Sequence, residues 1–150
     1  MTVEAKNKER IRAFVDAINR QDWRALEQLT APGFRRHSTA AGQHSVESRD
    51  DLISFLKKEY EAFPDGQEVI EDLVAEGNKV AARQRFMGTQ TGPLGDYPPS
   101  GKIMSSTYLA IYRLEDYVIV EVWAEWDNLS GLVQLGHMGP AAQQGNGADA

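Results

Sequence analysis

Ile11, Phe14, Val15 and Ile18 recur at i, i+3, i+4 and i+7, the spacing that gathers apolar side chains on one side of a helix. The pattern predicts a first helix over 4–20. Asp22 is placed to cap a short second helix carrying Trp23, Leu26 and Leu29, which Pro32 and Gly33 bring to an end. Ser48 and Asp51 form a capping box ahead of Leu52, Phe55, Leu56 and Tyr60, a third helical stripe that Phe63, Pro64, Asp65 and Gly66 stop. Between the second and third helices, Phe34 to Glu47 is rich in small and polar residues without a sustained period, and reads as a long loop. Loops of that length in a compact domain often carry function.

From Glu68 onward the pattern is that of strands, expected over 68–75, 79–88, 103–114 and 117–126. Glu76, Gly77 and Asn78 form the first turn, with Gly and Asn suited to positive φ, and Glu115 with Asp116 the last. Four successive strands with short turns imply an antiparallel sheet. The segment from Thr89 to Lys102 holds three glycines and three prolines and is read as a crossing loop. A short helix is expected near Asn128, and the Gly, Ala, Gln and Asn composition of 139–150 predicts a disordered tail behind a folded domain over 1–138.

Composition fits this picture: 41% hydrophobic and 25% charged residues in 150 are the proportions of one ordinary globular domain with a real core. A formal charge of -6 and a pI near 5.1 argue against a nucleic-acid partner, because that affinity comes from Lys and Arg neutralising phosphates. The absence of cysteine removes disulfides, thiolate zinc sites and thiol nucleophiles together. Met1 to Arg10 is charged and shows no apolar signal core, and no apolar run approaches the ~20 residues that span a bilayer. The expectation is a cytoplasmic protein with no membrane partner.

Gly95 to Lys102 superficially resembles a phosphate loop, but five residues separate its glycines, two of those are prolines without N–H donors, and Ile103 stands where the magnesium-binding hydroxyl belongs. The histidines at 37, 44 and 137 lack metal-ligand spacing, so no metal is expected. No G-x-S-x-G elbow supports a serine hydrolase. The Asn128, Leu129, Ser130 triplet fits the glycosylation pattern by chance.

Gly88, Thr89, Gln90, Thr91 and Gly92, then Pro98, Pro99, Ser100, Gly101 and Lys102, then Trp123 and Asp127, then Gln134, Leu135 and Gly136 together resemble the pattern of the SnoaL-like polyketide cyclases of the NTF2-like superfamily. The resemblance runs over about 6–136. It implies an α+β cone in which three N-terminal helices pack on a curved antiparallel sheet around an apolar pocket. It also implies a homodimer or homotetramer and cofactor-independent chemistry, aldol cyclisation in characterised members. Counted along the chain, the family's catalytic Asp position is Ala124 and its catalytic His position is Ala110; Tyr117 stands for the usual Gly of the last turn and Gln90 for a His.

Strand alternation puts Val120, Val122, Ala124 and Trp126 on one face and Glu121, Trp123, Glu125 and Asp127 on the other. If Ala124 faces the pocket, as the resemblance implies, Tyr108, Ala110 and Tyr112 line it as well, and Phe55, Tyr60 and Gln90 complete the candidate lining. The candidate base is His37, able to remove a proton α to a carbonyl while a phenol or amide holds the enolate oxygen. Its plainer role is a satisfied loop histidine. Glu125 or Asp127 supplies the alternative base if a β-bulge turns one inward, and Asp127 has a duller use as a helix cap. Arg83 and Arg85 are expected to face solvent or a subunit. Three functions remain open: an acid/base enzyme on a hydrophobic carbonyl or polyketide-like compound, a non-catalytic small-molecule binder, and a protein-interaction module.

Overall fold

The computed structural model describes residues 1–42 and 45–139. The elements run α1 (Val3–Asn19), α2 (Trp23–Leu29), β1 (Thr30–Ser38), α3 (Arg49–Ala62), β2 (Gln67–Glu76), β3 (Lys79–Thr89), β4 (Ile103–Glu115), β5 (Val118–Trp126) and α4 (Asn128–Gln134). Residues 140–150 of the tail expected over 139–150, and His44, lie outside the described residues. No described helix is long and apolar enough to cross a membrane.

Each helix starts on a side-chain cap that satisfies one of its otherwise orphaned N–H groups. Thr2 accepts from the Ala5 amide, Asp22 from Ala25, Ser48 from Asp51 and Asp127 from Ser130. At α3 the box closes one residue further back than expected, since the Asp51 carboxylate accepts from the Glu47 amide at 3.1 Å.

The five strands form one curved, open sheet in the order β1-β5-β4-β3-β2. The four expected strands are present and pair antiparallel in chain order, but residues 34–38 of the expected loop over 34–47 belong to β1, which runs parallel to β5 at the sheet edge. Pro32 and Gly33, read as helix stops, lie inside that strand. An edge strand tolerates them where the pairing register shifts, between Thr30 and Arg35. The last hairpin also differs. Asp116 and Tyr117 take φ of 48° and 65°, so these two residues make the turn and β5 begins at Val118. Both φ values are positive, as the commonest two-residue hairpin turns demand. The Tyr117 carbonyl accepts from Arg10 Nε at 2.8 Å, and Lys6 Nζ lies 3.9 Å above its ring, which anchors the turn to α1. At the β2–β3 turn Gly77 alone, without Asn78, supplies positive φ.

A bulge in β5 corrects the predicted alternation. Arg113 pairs with Glu121 but Leu114 with Ile119, so Val120 is the extra residue and Ile119, fully buried, takes its place on the core side. The inward residues of β3, β4 and β5 meet Ile11, Phe14, Val15 and Ile18 of α1 and Leu52, Phe55 and Leu56 of α3 in one core. Phe34 of β1 is buried within it, its ring 6.5 Å from that of Phe14.

Candidate active site

The concave side of the sheet keeps a small chamber with enclosed room of about 40 Å³. Three charged side chains enter it. Arg36 follows Phe34 by two residues on β1 and therefore shares its inward face; its guanidinium lies 4.6 Å over the Phe55 ring. Glu68 precedes Ile70 by two residues on β2, and its backbone is clamped at both ends by one side chain of α1. The Glu68 amide donates to Asn19 Oδ1 and Asn19 Nδ2 donates to the Glu68 carbonyl, both at 2.8 Å. Glu59 continues the Leu52, Phe55, Leu56 stripe of α3 by one more helical step, an ionisable group where the period calls for an apolar one. Around them stand Phe14, Tyr108, Tyr112, Val122 and Trp126.

Desolvation in this apolar setting governs the carboxyls. Burial pushes Glu59 up to about 8, with the neighbouring Glu68 charge adding to the rise and Arg36 opposing it. Glu68 is pushed up to about 7, again chiefly by burial, against a hydrogen bond from Tyr108 and the Arg36 charge. Gln84 Nε2 lies 3.4 Å from Glu68 Oε2, and Gln84 Oε1 accepts the Tyr112 hydroxyl at 2.6 Å. Burial raises the Tyr108 and Tyr112 phenols well above the ordinary tyrosine value, keeping both as neutral donors. Both carboxyls are thus raised toward neutrality in one chamber, the setting in which one of a pair can serve as acid and the other as base.

Of the lining expected from sequence, Phe55, Tyr108, Ala110, Tyr112, Val122, Ala124 and Trp126 border this chamber. Tyr60 does not; it packs edge-on against Trp23 and donates to the Ile18 carbonyl at 2.8 Å. Gln90 is fully buried elsewhere, donating to the Tyr97 and Pro98 carbonyls and accepting from Ser100. His37 lies on the outer face of the sheet, its Nε2 2.6 Å from Glu121 Oε2 and its ring stacked on Trp123 at 5.4 Å. The cause is strand parity: once 30–38 is a strand, Arg36 inward means His37 outward. The hydrogen bond from His37 holds Glu121 below the usual carboxylate range. Glu125 is exposed and pairs in register with the exposed Leu109. The bulge that could have turned it inward falls at Val120 instead. Asp127 caps α4, accepting from the Ser130 amide at 3.0 Å. Asp127→Ala is expected to cost about 1 kcal/mol, typical of a lost cap, read as a melting temperature lower by roughly 2–4 °C. Arg83 and Arg85 face outward and pair with Glu71.

Two further spaces adjoin the chamber. One, with enclosed room of about 40 Å³, lies under α4 and shares Glu59 and Trp126 with it. The other, about 690 Å³ and open to solvent, is bordered by Gly42, Phe55, Lys58, Glu59, Glu61 and Pro93 to Gly95. Glu59 borders all three.

A family model described as SnoaL-like polyketide cyclase matches residues 8–135. The chain belongs to the SnoaL-like polyketide cyclase family. Solved structures of this family and fold superimpose over nearly the whole domain. IdmH of Streptomyces antibioticus, assigned as a polyketide cyclase, is 28% identical with a TM-score of 0.76, the match covering 87% of this chain and 98% of that one. TsrD of Streptomyces laurentii is 27% identical with a TM-score of 0.80, covering 92% and 100%. A protein of a Jannaschia species classed as a SnoaL-like polyketide cyclase is 26% identical with a TM-score of 0.79, covering 93% and 97%. None of the curated protein sequences matches it. The α+β NTF2-like fold is thus shared, and the family is one of cyclase- and isomerase-type enzymes of small molecules.

Within this SnoaL-like frame Ala110 and Ala124 are directly paired across β4 and β5 and both face the chamber. Sequence reasoning missed Arg36, Glu59 and Glu68. Glu59 carried a signal, since it sits on the apolar stripe of α3. Glu68 alternates with Ile70, but the β2 bulge at Glu71 blurs the period. Arg36 was hidden inside a segment read as a loop.

Proposed function

We propose that this SnoaL-like protein is a cofactor-independent acid/base enzyme acting α to a carbonyl of a hydrophobic, polyketide-like small molecule, by aldol cyclisation or isomerisation. The observation that carries the reading is the pair of carboxyls raised toward neutrality in an apolar chamber beside a cation. Ionised Glu68 removes the α-proton. Arg36 and the Tyr108 phenol stabilise the enolate oxygen, the kind of fixed donor that is worth most where water is excluded. Protonated Glu59 delivers a proton to the new alkoxide or to carbon. In this reading Glu59 and Glu68 do the work of the groups absent at Ala110 and Ala124.

The test is deuterium uptake by linear and polycyclic β-keto esters and ketones in heavy water, followed by mass spectrometry. Enzyme-dependent uptake that His37→Ala leaves intact supports the chamber as its seat. Uptake lost in His37→Ala, or absent from every compound that binds, overturns the reading. The second outcome favours the alternative of a non-catalytic binding protein, for which the two paired alanines are the supporting observation.

The reading also takes the protein to be a homodimer or homotetramer. The outer sheet face carries Leu109, Ile111 and Trp123 partly exposed, a contiguous apolar surface suited to a second copy. Light scattering coupled to size exclusion is expected to give a multiple of 16.7 kDa, and Leu109→Glu with Ile111→Glu to shift it toward one chain.

A further inference from the structure

The space under α4 holds an unused donor. Ser106 points inward from β4 between Met104 and Tyr108, is 4% exposed, and its hydroxyl has no hydrogen-bond partner. The Trp126 indole N–H is also buried without an acceptor, and Trp126 borders both this space and the chamber. A buried polar group left unpaired costs free energy that an apolar replacement would avoid. Such groups in an interior call for an explanation. The rest of the lining is mostly apolar, with Phe63, Leu94, Met104, Leu132 and Leu135, and among the described residues its only ionisable members are the acids Glu59 and Asp127.

We infer that this space is a subsite for an apolar arm of the substrate bearing a neutral hydrogen-bond acceptor, which takes the Ser106 hydroxyl and the Trp126 N–H. The inference rests on the carbonyl reading above, because the arm must pass Glu59 and Trp126 from the chamber where the chemistry is placed. It fixes a substrate property that the catalytic groups do not. An anionic arm is disfavoured by the Asp127 carboxylate and by the mostly apolar lining, in which no cation is found among the described residues, and a purely hydrocarbon arm leaves both donors unpaired.

Three ketones sharing the 4-phenyl-2-butanone head test this by calorimetric titration: one with a para-acetyl group, one with a para-isopropenyl group of the same shape, and one with a para-carboxylate. The acetyl compound is expected to bind about five-fold tighter than the isopropenyl compound, the worth of one neutral hydrogen bond, and the carboxylate weakest. In Ser106→Ala the five-fold preference disappears. The same variant is expected to melt no lower than the wild-type protein without ligand, because it removes an unpaired buried hydroxyl, an outcome that separates binding from a structural role. Equal binding of the acetyl and isopropenyl compounds, a preference that survives Ser106→Ala, or no binding of any of the three overturns the subsite. Deuterium uptake at the shared head ketone is scored in parallel, so loss of the preference with uptake intact sinks the subsite alone, and loss of uptake in compounds that bind sinks the acid/base reading.

Discussion

Glu68→Gln is expected to lower enzyme-dependent deuterium uptake by a factor of 10² to 10⁴, the usual share of a positioned general base, while ligand binding changes little. The substitution keeps the shape of the side chain, and the clamp from Asn19 is made entirely by the Glu68 backbone, so strand position is preserved. What is lost is the ability to accept a proton. The wild-type rate should rise as pH passes about 7, where Glu68 ionises, and fall above about 8, where Glu59 gives up the proton it donates. These limbs belong to the coupled pair and not to either residue alone. Glu59→Gln is expected to remove the alkaline limb and most of the turnover of aldol substrates. Exchange rates in Glu68→Gln equal to wild type would move the base elsewhere.

The same two carboxyls set the direction of stability with pH. Both have folded-state values raised above the ordinary 4.5, so between about pH 4.5 and 8 the folded chain holds protons that the unfolded chain releases. Stability tied to them is present in full below that window and declines as pH rises through it. Glu59→Gln abolishes its part of the decline. Its melting temperature is expected to match the wild type near pH 4.5 and to exceed it by several degrees at pH 8, since even about 1 kcal/mol corresponds to roughly 2–4 °C in a domain of this size. Thermal melts across that range, wild type against variant, cancel the contributions of the other carboxylates. A variant less stable than wild type at pH 8 would mean that the ionised Glu59 is held by its neighbours rather than opposed by its burial.

Where local rules decide the structure, the sequence spoke clearly. The stripes of α1 and α3 and the caps at Asp22, Ser48 and Asp127 place those helices to within a residue or so. β3 and β4 keep an unbroken alternation, and their inward residues were assigned as they stand. The failures come from long-range choices. β1 exists because β5 offers it an edge, not because Pro32 and Gly33 favour extended pairing. That one missed strand bears on the site, since its parity turns Arg36 inward and the candidate base His37 outward. In β5 a bulge shifted the register by one residue, which periodicity alone cannot reveal. Glu59 was legible as an ionisable group on an apolar stripe. Tyr60, one residue on and expected in the lining, serves instead to tie α3 to α1.

The pairing of β1 with β5 also dictates an order of assembly. Arg36 is aligned with Val122 in the parallel ladder, so the cation of the site is seated by the last strand of this sheet in chain order. Contacts between such distant stretches form late, because the long intervening loop must be closed before they repay it. Helices α1 to α3 and the hairpin of β2 and β3 can gather while the chain is still being synthesised, with Glu59 and Glu68 already in them. The two acids would then wait, unaccompanied, for the final strand to bring the arginine home.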